Sequence, residues 1–299
     1  MTIPVGRSSQ PHDLAAAIFT ALAEEFLYAT QAPRPFYLRD KQNTQSDPFD
    51  ELVSDVLSRR LPQGILVITS GKPLVSPDLV VARPEETRLL IAGGTDLDAR
   101  RIVAVEVKKV NSDASGRAAR STGIDYNSTP PAATVKVESA AGNLLRVPAF
   151  YLFVVLLPHG EDQVVQTLAL VTGSALNQDI QLYDDATGVR QKSIGLGTFG
   201  DGLDRQRPMF VFANPLGWPW LTGEATLLHD RSDLAEEQNL VRVREVERTA
   251  KDGTVHTFWC YRLRRGVPDI TGPKVSEPFP TPANRKTETT PRGRFQVKL

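Results

Sequence analysis

Apolar side chains recur at helical spacing over residues 11 to 31, where Leu14, Ile18, Leu22 and Phe26 fall on one side of a helix that opens after Pro11 and Asp13 and ends before Pro33. A second amphipathic helix is predicted from Asp47 as N-cap, with Pro48 at its first position and Phe49, Leu52, Val53, Val56 and Leu57 as its apolar face. Glu51 points away from that stripe or along its edge. From residue 64 the period shortens. Ile65 to Thr69, Leu79 to Ala82, Arg88 to Ile91 and Ile102 to Val110 are β-rich runs, so a sheet begins there. Further strands are predicted at Thr134 to Glu138, Phe150 to Leu157, Val164 to Thr172 and Met209 to Ala213. The run from Phe150 is so continuously apolar that it reads as a central strand covered on both faces, which requires helices packed on the sheet. Leu240 to Arg248 and Thr254 to Arg264, joined across Lys251-Asp252-Gly253, form a predicted hairpin.

Between these elements, residues 111 to 132 are polar, contain glycine and end on two prolines, so they form a long loop, and loops of that length tend to be functional or mobile. Residues 173 to 207 read as excursions, and Trp218 and Trp220 of the following NPLGWPW segment as core or interface anchors. There is no internal repeat and no linker between two halves. The expected fold is therefore α/β (α+β), a mixed central sheet flanked by helices with β-hairpin additions. Residues 1–265 are expected to form one domain, followed by a Pro-rich basic tail at 266–299. Residues 265 to 299 carry seven Lys or Arg against three acids, so the tail is expected to wrap a partner or stay loose.

Composition narrows the function classes. With 35 Lys plus Arg against 35 Asp plus Glu among 299 residues, no net charge marks a polyanionic partner, and any nucleic-acid surface must come from local clustering. The single cysteine, Cys260, sits in an aromatic run and reads as a buried side chain, which fits a reducing cytoplasm. The N-terminus lacks an apolar signal core and the longest apolar stretch is too short for a bilayer, so neither export nor membrane insertion is expected. His12, His159, His229 and His256 are scattered without metal-ligand spacing, and neither a phosphate-binding GxxxxGK[ST] loop nor a GxSxG elbow is present.

The chemistry concentrates at two places. In Val75-Ser76-Pro77-Asp78-Leu79, Pro77 cannot donate a ladder bond and marks where pairing begins, leaving Asp78 at the mouth of a strand. In Val105-Glu106-Val107-Lys108-Lys109, alternation places Glu106 and Lys108 on one strand face, and two charges on an apolar strand are costly to bury without a reason. If those strands pair, two carboxylates converge beside a lysine. That describes a site for a hard cation such as Mg²⁺, with Asp78, Glu106 and the Val107 carbonyl as ligands. Lys108 would then position or activate a water and stabilise charge at phosphorus.

Pro77-Asp78 followed after 28 positions by Glu106-Val107-Lys108 resembles the PD-(D/E)xK nuclease signature, whose largest group is the restriction endonucleases. The resemblance implies a mixed sheet with the acids on adjacent strands, Mg²⁺ as cofactor, double-stranded DNA as substrate, and often a further acid from a preceding helix, a role that Glu51 matches by position. Pro268-Asp269 serves as an internal control, since no strand with [DE]xK follows it. After the lysine, the order of a polar loop, Val147-Pro148-Ala149-Phe150-Tyr151-Leu152, Phe212-Ala213-Asn214-Pro215-Leu216-Gly217 and Val241-Arg242-Val243-Arg244 is similar to that of BglI-like dimeric restriction enzymes, although Glu106 stands where those have aspartate.

Sequence reading of DNA needs side chains at base edges in addition to phosphate contacts. One candidate is the segment after the catalytic strand, with Lys109, Asn111, Asp113, Arg117, Arg120 and Asn127. The other is the hairpin, where period two puts Arg242, Arg244 and Arg248 on one face, with Arg262, Arg264 and Arg265 across the turn, a layout suited to a β-ribbon in the major groove. The plainer alternative is a solvated hairpin face. The leading expectation is a homodimeric type II restriction endonuclease. A junction-resolvase-like nuclease and a catalytically silent DNA-binding protein are the alternatives.

Overall fold

The computed structural model describes residues 13–40, 47–69, 77–95, 101–112, 133–176, 220–221, 223–237, 239–250, 252–265 and 271–279. Both predicted helices form. Helix α1 spans Leu14–Phe26 and starts at Asp13, whose Oδ1 accepts from the Ala16 amide at 2.9 Å. Helix α2 spans Pro48–Arg60 and starts at Asp47, whose Oδ1 accepts from the Phe49 amide at 3.0 Å. Acids in the first turn of α2 and arginines in its last suit the helix dipole. Phe26, Phe36 and Phe49 form an aromatic cluster with centroids 5.0 to 6.3 Å apart, and Arg60 donates to Glu25 at 2.5 Å, so α1 and α2 are joined by packing and charge.

Ten described strands share one sheet: β1 (Leu66–Thr69), β2 (Leu79–Ala82), β3 (Val103–Asn111), β4 (Thr134–Glu138), β5 (Leu144–His159), β6 (Asp162–Thr172), β7 (Ala225–His229), β8 (Leu240–Thr249), β9 (Val255–Leu263) and β10 (Val275–Pro278). Their order is β1-β2-β3-β5-β6-β7-β9-β8-β10, with β4 pairing β5 off that path. Most pairings are antiparallel, whereas β3/β5, β6/β7 and β8/β10 are parallel. This is a mixed α/β arrangement. β5 is central and buried on both faces, as its unbroken apolar run requires. Odd residues of β3 (Val103, Val105, Val107) join the core under α1 and α2, and Ala104 joins the opposite core with Tyr151 and Phe153. No helix of the described residues is long and apolar enough to cross a membrane.

Two expectations need correction. Arg88 to Ile91 is not a strand but the middle of helix α3 (Thr87–Ala92), entered through a 3-10 turn at Pro84–Glu86. A four-residue apolar run fits either element, and Pro84 with the Thr87 hydroxyl donating to the Pro84 carbonyl at 2.7 Å winds the chain. The helix stops at Gly93 (φ +84), where a β-carbon would lie 2.7 Å from Asn143 Cβ. The boundary at residue 265 fails too, because residues 271–279 return to the sheet. β10 adds parallel to β8, Phe279 is buried, and Lys274 bonds Glu245 at 2.9 Å and Glu247 at 2.6 Å. Pro278 is tolerated there because β10 is an edge strand. A strand outside the predicted set, β7, ends in His229. The predicted strand Met209 to Ala213 lies outside the described residues.

His229 fastens β7 to the start of α1. Its Nε2 lies 3.4 Å from Asp13 Oδ2 and its Nδ1 2.7 Å from Asp230 Oδ1. Burial alone would favour the neutral ring, but hydrogen bonds and charge from Asp13 and Asp230 hold its pKa up at about 9. Burial likewise opposes ionisation of Asp13, yet the His229 contact, the Ala16 amide and Arg231 hold it down at about 2. The Arg231 amide also lies 3.0 Å from Nδ1. With the ring charged, both nitrogens carry hydrogen, so Nδ1 donates to Asp230 and the amide is only a close neighbour.

Candidate active site

β2 and β3 pair with Leu79 opposite Val105 and Val80 opposite Ala104. One further step along that register sets Asp78 opposite Glu106. The backbone closes the arrangement: the Val107 amide donates to Asp78 Oδ2 at 2.7 Å. In an extended strand a residue's N–H and C=O lie on the same side, so the Val107 carbonyl also faces the end of β2. Lys108 Nζ donates to Glu106 Oε1 at 2.8 Å, and these side chains are only 16% and 12% exposed. The structure thus brings together Asp78, Glu106, Val107 and Lys108.

No family model, curated protein or solved structure matches this chain. The site must be read from its own chemistry.

Glu51 does not join the cluster. It pairs with Arg39 at 2.6 Å, with side-chain exposures of 48% and 41%. The acid that α2 brings to the site is Asp50. Burial, then the charges of Asp78 and Asp47, raise the Asp50 pKa to about 8 against the pull of Lys109. Burial and then Glu106 raise Asp78 to about 7, opposed by the Val107 amide and Lys108. The sequence held a signal for Asp50. It lies three and seven residues before Val53 and Leu57, on the buried stripe of α2, whereas Glu51 shares the polar side with Ser54, Asp55 and Ser58. Asp47, the cap of α2, has a second partner: Lys109 Nζ reaches its Oδ1 at 2.6 Å.

The donor set suits a hard cation. Among the described residues no group of three or more His, Cys, Asp or Glu is arranged to hold a metal ion. Asp78 and Glu106 are two carboxylates, and Mg²⁺ is ordinarily held by one or two carboxylates with waters and substrate phosphate oxygens completing its shell. Clustered carboxylates whose pKa values rise are the electrostatic counterpart of that fit, since a cation relieves their repulsion. The residues present therefore fit Mg²⁺.

The expected DNA readers fare unevenly. Lys109 is committed to Asp47, and Asn111 is exposed at the end of β3. Asp113, Arg117, Arg120 and Asn127 lie outside the described residues, as do the tail residues Arg285, Lys286, Arg292 and Arg294. On the hairpin, Arg242 opposes Tyr261 but Arg244 opposes Cys260, so Val243 is an extra residue in a β-bulge. The bulge shifts the alternation, and Arg242 does not share a face with Arg244 and Arg248. Arg242 is exposed. Arg244 lies over the Trp220 ring, its guanidinium carbon 5.5 Å from the centroid, and donates to the Pro273 carbonyl at 2.6 Å. Arg248 is only 1% exposed and donates to Glu277 at 2.5 Å, so it is a structural residue.

Proposed function

We propose that this chain is a Mg²⁺-dependent endonuclease of the PD-(D/E)xK type acting on double-stranded DNA, with Asp78, Glu106 and Lys108 at its centre. The observation that carries the reading is the pairing of β2 with β3, which sets Asp78 across from Glu106 with Lys108 on the same strand face. Asp78, Glu106 and the Val107 carbonyl would hold the cation. When bound, Mg²⁺ supplies charge neutralisation at the scissile phosphate and lowers the pKa of a coordinated water. Lys108, fixed by Glu106, is placed to orient the attacking water and to balance charge that grows on the phosphate oxygens. The Val107 amide holds the Asp78 carboxylate in one orientation. Asp50 adds a third acid to the rim, in the role first given to Glu51. Sequence-specific cleavage by a homodimer, each subunit cutting one strand of a palindrome, is the form of this activity we favour.

Incubation of the protein with supercoiled plasmid and Mg²⁺ tests it. Discrete fragments are expected, with Ca²⁺ supporting binding without turnover. Asp78→Asn and Lys108→Ala are expected to abolish cutting while DNA binding persists. Full activity in EDTA, or near-normal cutting by either variant, refutes the assignment. Nicking confined to branched DNA would point to a resolvase, and a gel shift without cutting to a silent binder.

A further inference from the structure

We propose that a cleft between the end of α1, the segment Tyr28 to Arg34 and the open end of the β8–β9 hairpin binds a phosphate group. The cleft has a volume of about 520 Å³, and Arg34, Arg60, Arg265, Glu24 and Asn239 line it. Three guanidinium groups against one carboxylate is an unusual lining for a chain without net charge. The partners of each arginine sharpen the case. Arg60 is matched by Glu25 at 2.5 Å and lies only 3.9 Å from Glu24. Arg265 donates to the Tyr28 carbonyl and has no carboxylate partner among the described residues. Arg34 stacks over Tyr28, 5.1 Å from the ring centroid, and its buried Nε has no hydrogen-bond partner among the described residues.

A buried N–H with nothing to donate to is costly, and a guanidinium is a planar fork of donors that matches two oxygens of one anion. Tyr28 organises both uncompensated arginines, the ring supporting Arg34 and the carbonyl holding Arg265. Their remaining N–H groups are available to an anion that enters the cleft. Asn239 adopts φ +52 at the start of β8 and can present an amide donor there. Phosphate satisfies several such donors at once and offsets the two unmatched charges, which one carboxylate does only in part. The ligand is therefore a phosphate, either a backbone diester of duplex DNA or a free monoester. The cleft shares no residue with the Asp78 cluster, and the inference stands without the nuclease reading.

Thermal unfolding of the full chain in EDTA, with inorganic phosphate replacing chloride at constant ionic strength, tests the site. A saturable rise in Tm is expected for the native protein. In Arg34→Gln and Arg265→Gln the apparent phosphate affinity, read against each variant's own Tm in chloride, is expected to fall by about tenfold or more. If Arg34→Gln does not fold, Arg34→Lys, which keeps charge and loses the fork, replaces it. Anisotropy of a labelled duplex over a salt series identifies the source. Flattening of the salt dependence by about one unit per arginine removed means a backbone diester. Unchanged duplex binding with the phosphate response lost means a free monoester. The proposal is overturned if the native protein gives no saturable response and duplex binding is indifferent to both substitutions, or if the variants respond to phosphate as the native protein does.

Discussion

Asp13→Asn separates two jobs that one carboxylate performs. Asparagine keeps an oxygen for the Ala16 amide, so the N-cap of α1 survives, but the charge facing His229 and Arg231 is lost. The His229 pKa rises from 6.5 to about 9, equivalent to roughly 3.4 kcal/mol at ~1.4 kcal/mol per unit. Asp13 falls from 3.8 to about 2, equivalent to roughly 2.5 kcal/mol. The values differ because His229 also faces Asp230 and Asp13 also faces Arg231. They describe one contact from its two ends and do not add, so about 2 kcal/mol is the expected loss. The pH dependence has a definite sign. A raised histidine contributes fully below 6.5 and loses its contribution as pH climbs through about 9, while a lowered acid contributes above 3.8 and loses it as pH falls through about 2. The penalty of Asp13→Asn should be largest from about pH 4 to 6.5 and shrink by pH 10. Urea unfolding of both proteins at pH 6 and pH 10 measures it, and Asp13→Ala should cost about 1 kcal/mol more through the lost cap. Equal penalties at the two pH values, or none at pH 6, would refute the ion-pair account.

Asp50→Asn is expected to depress DNA cleavage far more than Glu51→Gln, and the reverse order in a plasmid assay would restore Glu51 to the site. Gly93→Ala should lower stability by about 1–3 kcal/mol in urea unfolding, since φ +84 is unfavourable and the new methyl meets Asn143. Arg248→Ala should cost about 1–3 kcal/mol of stability by emptying the space its buried side chain fills, with the half-exposed Glu277 left to solvent, whereas Arg242→Ala should leave stability intact and cost about 1–3 kcal/mol of affinity for cognate DNA alone. Equal losses by Arg242→Ala on cognate and random duplex would make Arg242 a backbone contact.

Much of this architecture is written in local pattern. Asp47-Pro48 states a helix start unambiguously, and the alternation around Glu106 and Lys108 fixes their shared face because a strand allows no other parity. Other features depend on distant partners and leave no local trace. Arg88 to Ile91 is apolar enough for a strand, and only its neighbours Pro84 and Gly93 turn it into helix. β10 exists because β8 offers it an edge. Asp50 and Glu51 are a different case, since the helical phase of α2 separates a half-buried acid from a solvated one.

The bulge at Val243 makes the β8 strand sensitive to length where it is tolerant of composition. Many residues could occupy an unpaired position, but removing it would re-phase one side of the strand against the other. Leu240, fully buried in the core on one face of the sheet, would then have to turn outward, or Val246 would have to leave the core on the other face and Arg248 its buried position. A three-base deletion at this codon is therefore a harsher genetic change than any single substitution within it, and insertions or deletions accepted by the hairpin should gather at the Asp252-Gly253 turn, where Gly253 at φ +87 has open space around it.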